Sequence, residues 1–223
     1  MANSWSLESE LTGLAHASSV EKALLALGLI DDEAEAFELA TVADWCREGA
    51  ETYTLHFSVS TSRASTRFVM KACVAYSPGV PLRELFAEWN TRRDRLRNFD
   101  VATPDVLVRG DALVIEEYIP LTLREALGEA SARSHLVTSM GWTAGRITAA
   151  GFIPLSVHDW RSRGRDVVLI DFGQDLGPSG QSTVHGDSGG ILGDVLQQLD
   201  DWGVSLDRSE LGSMGCAYED AIP

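Results

Sequence analysis

The run VVLIDFG, residues 167–173, sets an acid at the end of a short apolar stretch and follows it with Phe172 and Gly173. An apolar strand ending in Asp171 places a carboxylate at a strand terminus beside a flexible glycine. A carboxylate oxygen there suits a hard cation such as Mg²⁺. Three residues alone do not separate that reading from an Asp that simply ends a strand. Lys71 sits in FVMKAC with apolar flanks, Val69-Met70 and Ala72-Cys73. A lysine inside such a pattern faces either solvent or a site. Glu88 follows 17 residues later, on a stretch with helical periodicity. Taken alone it reads as a surface acid of an amphipathic helix.

These residues need elements to hold them. Residues 5–29 carry apolar residues at helical spacing and predict one or two short helices, and the acidic run 31–39 is expected to open another. ETYTLHFSV and RFVMKACVAY alternate and are rich in β-branched and aromatic residues, which predicts a hairpin across STSRAST. After the breaker SPGVP, LRELFAEWNTRRDRLRN predicts a helix with Leu82, Leu85, Phe86, Trp89 and Leu96 as its apolar stripe. VLVRG and ALVIEEYI predict a second hairpin turning at Gly110-Asp111. Residues 121–150 read as helical, with Gly151 as the stop, and residues 151–166 as a loop of little regular pattern. VVLI is a strand, GPSGQSTVHGDSGG a long loop and residues 191–202 a last amphipathic helix before an irregular tail. The order predicts an α+β chain of two lobes, divided near residues 118–121.

Composition narrows the class of function. The chain has 223 residues, 44% hydrophobic and 23% charged, an ordinary globular balance. Its 33 acids against 18 bases give a net charge of -15, which repels nucleic acid and anionic membranes and favours a basic partner or cationic peptide. The plainer reading is that the excess acid keeps the protein soluble. Cys46, Cys73 and Cys216 are odd in number and widely spaced, with no zinc-type cluster, so reduced thiols are expected. No signal-peptide pattern opens the chain and no apolar run approaches the roughly 20 residues that span a bilayer. A soluble, cytoplasmic protein is expected.

The order of parts is more specific than any one of them. A strand lysine, a helix glutamate, a hairpin ending in Ile115-Glu116-Glu117-Tyr118, helices, a loop and then a strand with Asp171-Phe172-Gly173 resemble the protein-kinase-like superfamily. The phrases AGFI and VVLIDFG bring the chain nearest to the aminoglycoside-phosphotransferase-like branch of that superfamily, over roughly residues 45–205. The resemblance implies ATP and Mg²⁺ as cofactors. It implies that Lys71 contacts the α- and β-phosphates with Glu88 as its ion-pair partner, Glu84 being the alternative one turn earlier. It implies Asp171 as a metal ligand and Glu116, Glu117 and Tyr118 as the hinge whose backbone meets adenine. Gly49, in CREGAETYTLHF, resembles a remnant of the phosphate-covering loop, and Thr52 is placed to help contact phosphate.

The catalytic loop departs from the superfamily's pattern, in which an acid acts as base and an Asn five residues later binds metal. Asp159 lies 12 residues before Asp171 and aligns with that Asn, while five residues before Asp159 stands Pro154, which cannot accept a proton. Three readings stay open. Asp159 is a metal ligand with His158, a side-chain type that exchanges protons near neutrality, close by as base. Or Asp159 is itself the base. Or abstraction matters little, because phosphoryl transfer is governed by positioning and charge. Arg161, Arg163 and Arg165 crowd the same loop, either to hold phosphate, Arg161 first, or as a solvated basic patch.

The resemblance divides the chain into an N-terminal helical segment (1–44), an N-lobe (45–120) and a reduced helical C-lobe (121–223). About 50 residues follow Gly173, with one clear helix, so the substrate platform is read as truncated. Such reduction resembles bacterial effector kinases and kinase-like proteins of peptide natural-product pathways, where a separate lyase eliminates the phosphate. The expected function is ATP- and Mg²⁺-dependent phosphorylation of Ser/Thr hydroxyls in a peptide or protein, with a lyase as a possible completing partner. The alternatives are a pseudokinase that binds peptide or nucleotide without transfer, and an antibiotic-type small-molecule phosphotransferase.

Overall fold

The computed structural model describes residues 36–43, 52–60, 65–73, 82–109, 113–154, 157–158, 160–173, 176–178 and 190–223. The predicted helices in residues 5–29 and the turn at Gly110-Asp111 lie outside them. The architecture is α+β, with every strand pairing antiparallel. The chain forms two compact units: Met1–Ala87 with Asp105–Tyr118, and Glu88–Pro104 with Ile119–Pro223.

The first unit holds a five-stranded sheet in the order β1-β2-β3-β5-β4. Its strands are β1 (Ala36–Ala43), β2 (Thr52–Ser60), β3 (Ser65–Cys73), β4 (Val106–Arg109) and β5 (Leu113–Glu117). The two predicted hairpins are present, with Thr52 opposite Cys73 and Arg109 opposite Val114. Strand β1 overturns the helix expected to open within residues 31–39. The acids suggested a helix N-terminus, but AFELATVA alternates Phe37 and Leu39 and then supplies Thr41 and Val42, which favour the pleat. Its edge pairing with β2, irregular between Leu39 and Thr41, settles the competition.

Helix α1 (Leu82–Asn98) matches the predicted span and buries Phe86, Trp89 and Leu96. In the second unit, α2 (Leu123–Leu127) and α3 (Ala130–Ala149) occupy the predicted helical region, and Gly151 ends it with φ 84°. Residues 152–154 and 160–163 are more regular than expected. Strand β7 (Phe152–Pro154) pairs with β10 (Leu176–Pro178). A three-stranded sheet joins β6 (Leu121–Thr122), β8 (Trp160–Arg163) and β9 (Asp166–Leu169). Two arginines disguised β8, whose Trp160 and Ser162 are buried while Arg161 and Arg163 are more exposed in alternation.

Helix α4 (Gly190–Asp201) is as predicted, but the tail is not irregular, since α5 (Arg208–Ala221) fills it. Asp207 and Glu210 form a reciprocal capping box that satisfies two otherwise orphan N–H groups. Gly212 and Gly215 weakened the helical signal in sequence. Packing against α3 supplies the missing stability. Gly141 and Gly145 let the backbones approach so closely that a Cβ on Gly141 would lie 2.1 Å from the Met214 carbonyl oxygen. Among the described residues two helices therefore follow Gly173, where one was expected. Among the described residues no helix is long and apolar enough to cross a membrane.

Candidate functional site

In the first unit, β3 carries Lys71 and β5 carries Glu116. Lys71 lies opposite Val114, and Glu116 lies opposite Val69. Successive residues of a strand alternate faces, so Lys71 and Glu116 share one face as diagonal neighbours, within reach of long side chains. The Lys71 Nζ meets Glu116 Oε1 at 2.7 Å, with side chains only 7% and 1% exposed. The solvent-facing alternative for Lys71 is thereby removed. Within this unit the carboxylate that meets Lys71 is Glu116, a residue that the sequence reading placed in the hinge. The register decides this, because a strand neighbour two positions along the diagonal needs no further element to reach the ammonium.

The rest of the expected hinge is also held. The Glu117 N–H donates to the Asp105 carbonyl at 2.9 Å, and Glu117 Oε2 accepts from the Asp105 N–H at 3.2 Å. Arg67 lies over the Tyr118 ring at 5.6 Å. Thr52 begins β2 at the edge of the β3 pairing, and Gly49 lies outside the described residues.

In the second unit, β9 delivers Asp171 just beyond its end. The Gly173 N–H donates to Asp171 Oδ1 at 2.9 Å and closes a tight turn around Phe172. Phe172 is fully buried, edge-on to Trp89 of α1 with ring centroids 4.9 Å apart. Arg93 is fully buried as well, 5.2 Å from the Phe172 ring and 5.8 Å from Trp89, and donates to the Pro104 carbonyl. Glu88 is 60% exposed and takes Arg92 one turn along the helix at 2.6 Å. Arg92 in turn donates to the Gly173 carbonyl at 2.9 Å. The sequence reading gave the arginines of α1 no role. Spacing held the signal, since Arg93 falls in step with Phe86, Trp89 and Leu96, at a position that must face the core.

His158 is exposed, and its ring lies 5.5 Å from that of Trp202. Val157, just before it, donates its N–H to Gln198 Oε1 of α4 at 2.7 Å. Asp159 lies outside the described residues. Pro154 pairs with Leu176 in the small sheet. The three arginines of this segment diverge. Arg161 sits opposite Thr122, where its charge helps hold Glu125 below the ordinary carboxylate range, after the larger effects of the Thr122 hydroxyl and the Thr122 backbone N–H. Arg163 donates to the Thr103 carbonyl at 3.3 Å, and Arg165 is exposed beside Gly164, whose φ is 65°.

A bound metal must find oxygen ligands here. Among the described residues no group of three or more His, Cys, Asp or Glu side chains could hold a metal. Asp171 therefore belongs to no such group among the described residues. Its Oδ1 accepts from the Gly173 N–H, and among the described residues no donor meets its second oxygen. That donor set fits Mg²⁺, which prefers one or two carboxylates completed by phosphate oxygens and water.

No family model matches the chain, and no curated protein matches it in sequence. Among solved structures it is similar to the macrolide 2'-phosphotransferase MphH from Brachybacterium faecium, in its apoenzyme form, with 11% identity and a TM-score of 0.48 over 90% of this chain and 83% of that one. It is also similar to Rio2 kinase from Chaetomium thermophilum, in an ADP/Mg²⁺-phosphoaspartate complex, with 9% identity and a TM-score of 0.47 over 92% of this chain and 76% of that one.

Proposed function

We infer that the protein is a kinase-like phosphotransferase that uses ATP with Mg²⁺. The observation that carries the reading is Asp171, a strand-end carboxylate fixed by Gly173 on one oxygen and open on the other. In this reading Asp171 gives its second oxygen to the metal, which when bound neutralises charge on the phosphates. Lys71 supplies the cation for the phosphate oxygens. Glu116, at 2.7 Å from the Lys71 ammonium, helps to position it. Arg161 is available to the transferred phosphate, and Gly49 and Thr52 to the nucleotide.

The acceptor is a hydroxyl. The excess of 33 acids over 18 bases favours a Ser or Thr in a basic peptide or protein over a free anionic metabolite. A separate lyase acting on the phosphorylated product is part of this proposal. His158 is the proposed proton acceptor, because it is exposed and set against Trp202 at the segment preceding β8. Asp159 is the proposed second oxygen ligand. A second reading, nucleotide or peptide binding without transfer, draws on Pro154, which stands where the superfamily's pattern has its acid.

Thermal unfolding with ATP, with and without Mg²⁺, tests the reading. A ligand at 100 times its Kd stabilises by about 2.7 kcal/mol. The expected result is a Mg²⁺-dependent rise in Tm that Asp171→Asn abolishes. A wild-type protein whose Tm is indifferent to every nucleotide refutes the reading. A rise without phosphate transfer to any basic Ser/Thr peptide favours the binding module.

A further inference from the structure

We propose that Arg92 is a positioning residue for Asp171, and that the work of Glu88 is to aim Arg92. The inference rests on the phosphotransferase reading. It deepens that reading by naming how the metal carboxylate is fixed.

The geometry runs through one glycine held from both sides. The Gly173 N–H bonds Asp171 Oδ1 at 2.9 Å. The Gly173 carbonyl accepts from Arg92 at 2.9 Å and from the Leu176 N–H at 3.1 Å. A glycine in such a turn has more backbone freedom than any other residue, so its conformation depends on these bonds. The bond from Arg92 is the only one of the three that comes from outside the segment 171–176, and it therefore ties the turn to α1. Gly173 cannot rotate toward a different turn without giving up a charge-assisted bond to Arg92.

Glu88 completes the device. Its Oε1 takes the other terminal nitrogen of the guanidinium at 2.6 Å, so a single planar group bridges carboxylate and carbonyl. An exposed i,i+4 pair contributes little to stability by itself. Its value here is orientational, because a guanidinium restrained at one nitrogen presents the other in a fixed direction. Trp89 and Arg93 pack on Phe172 of the same stretch, so side chains of α1 hold Phe172 and Gly173, and Asp171 is held in turn by the Gly173 N–H. Partners that orient a metal ligand are worth about 10- to 100-fold in metal affinity when removed.

The test is the Mg²⁺ concentration at half-maximal ATP-induced stabilisation, measured for wild type, Arg92→Ala, Arg92→Lys and Glu88→Gln. Arg92→Ala is expected to raise that midpoint about tenfold. Arg92→Lys keeps a donor but cannot bridge both partners, so it and Glu88→Gln should fall between. Hydrogen exchange at the Gly173 amide gives a second, activity-free readout, and Arg92→Ala should speed it. Arg92 is 29% exposed, so the variants are expected to fold with a Tm near that of wild type. A purely structural role would lower Tm in all three variants and leave the metal midpoint unchanged, which overturns the inference. A wild type with no Mg²⁺-dependent response refutes the phosphotransferase reading, and with it the metal half of this proposal. In that case unchanged Gly173 exchange in Arg92→Ala refutes the clamp as well.

Discussion

Replacing Lys71 by Met removes the cation from a carboxylate that is 1% exposed and 2.7 Å away. Glu116 would stay buried and lose its ion pair with the Lys71 ammonium. Breaking one side of such a pair costs about 3–5 kcal/mol, because desolvation is no longer offset. With a urea m-value of about 2 kcal/mol/M for a chain of this size, the lower figure moves the unfolding midpoint down by about 1.5 M. The double variant Lys71→Met/Glu116→Leu replaces the pair by apolar groups of similar volume and should recover most of that loss. Urea unfolding of the three proteins measures the loss and its recovery, and ATP–Mg²⁺ thermal shifts on the same samples measure the site. The expected pattern is a destabilised single variant, a restored double variant and no nucleotide response in either. A single variant as stable as wild type would refute the buried pair. A restored double variant that still binds ATP would refute the phosphate role of Lys71.

The same substitution should have opposite signs on the two helices that pack closely in the second unit. Gly141→Ala drives a Cβ to 2.1 Å from the Met214 carbonyl and should cost about 2 kcal/mol, whereas Gly215→Ala meets nothing within 4 Å and should stabilise by about 0.5–1 kcal/mol, both read by urea unfolding. Arg133 holds Glu210 below the ordinary carboxylate range. A carboxylate lowered on folding stabilises fully above its unfolded pKa of about 4.3 and loses that stabilisation as pH falls through the lowered folded value. The stability gap between wild type and Glu210→Gln, about 1 kcal/mol at pH 7, should therefore close progressively as pH falls below about 4. His158→Ala should lower turnover with nucleotide affinity kept, and a variant of unchanged turnover moves the base elsewhere.

Much of the local structure was legible because local rules decide it. The helix over Leu82–Asn98 shows in its stripe, the hairpins in alternation, and the Asp171 strand end in an apolar run broken by an acid. The strand at Ala36–Ala43 was missed because acids suggested a helix start, and an edge pairing with Thr52–Ser60 overrode them. The last helix was missed because two glycines hid it, although its capping box, Asp207 with Glu210, is written in the sequence.

By itself, the sequence determined which residue types could do chemistry and on which elements they ride: Lys71 inside a strand, Glu88 on a helix and Asp171 after a strand. Which of them meet was decided only by tertiary structure. Register placed Glu116 diagonal to Lys71, since strand pairing fixes neighbours far apart in sequence. Burial turned Arg93 from one arginine in a polar run into a cation packed against Trp89 and Phe172. The Glu88–Arg92–Gly173 bridge joins residues 81 positions apart at its longer step, and no periodicity within a single element can encode that contact.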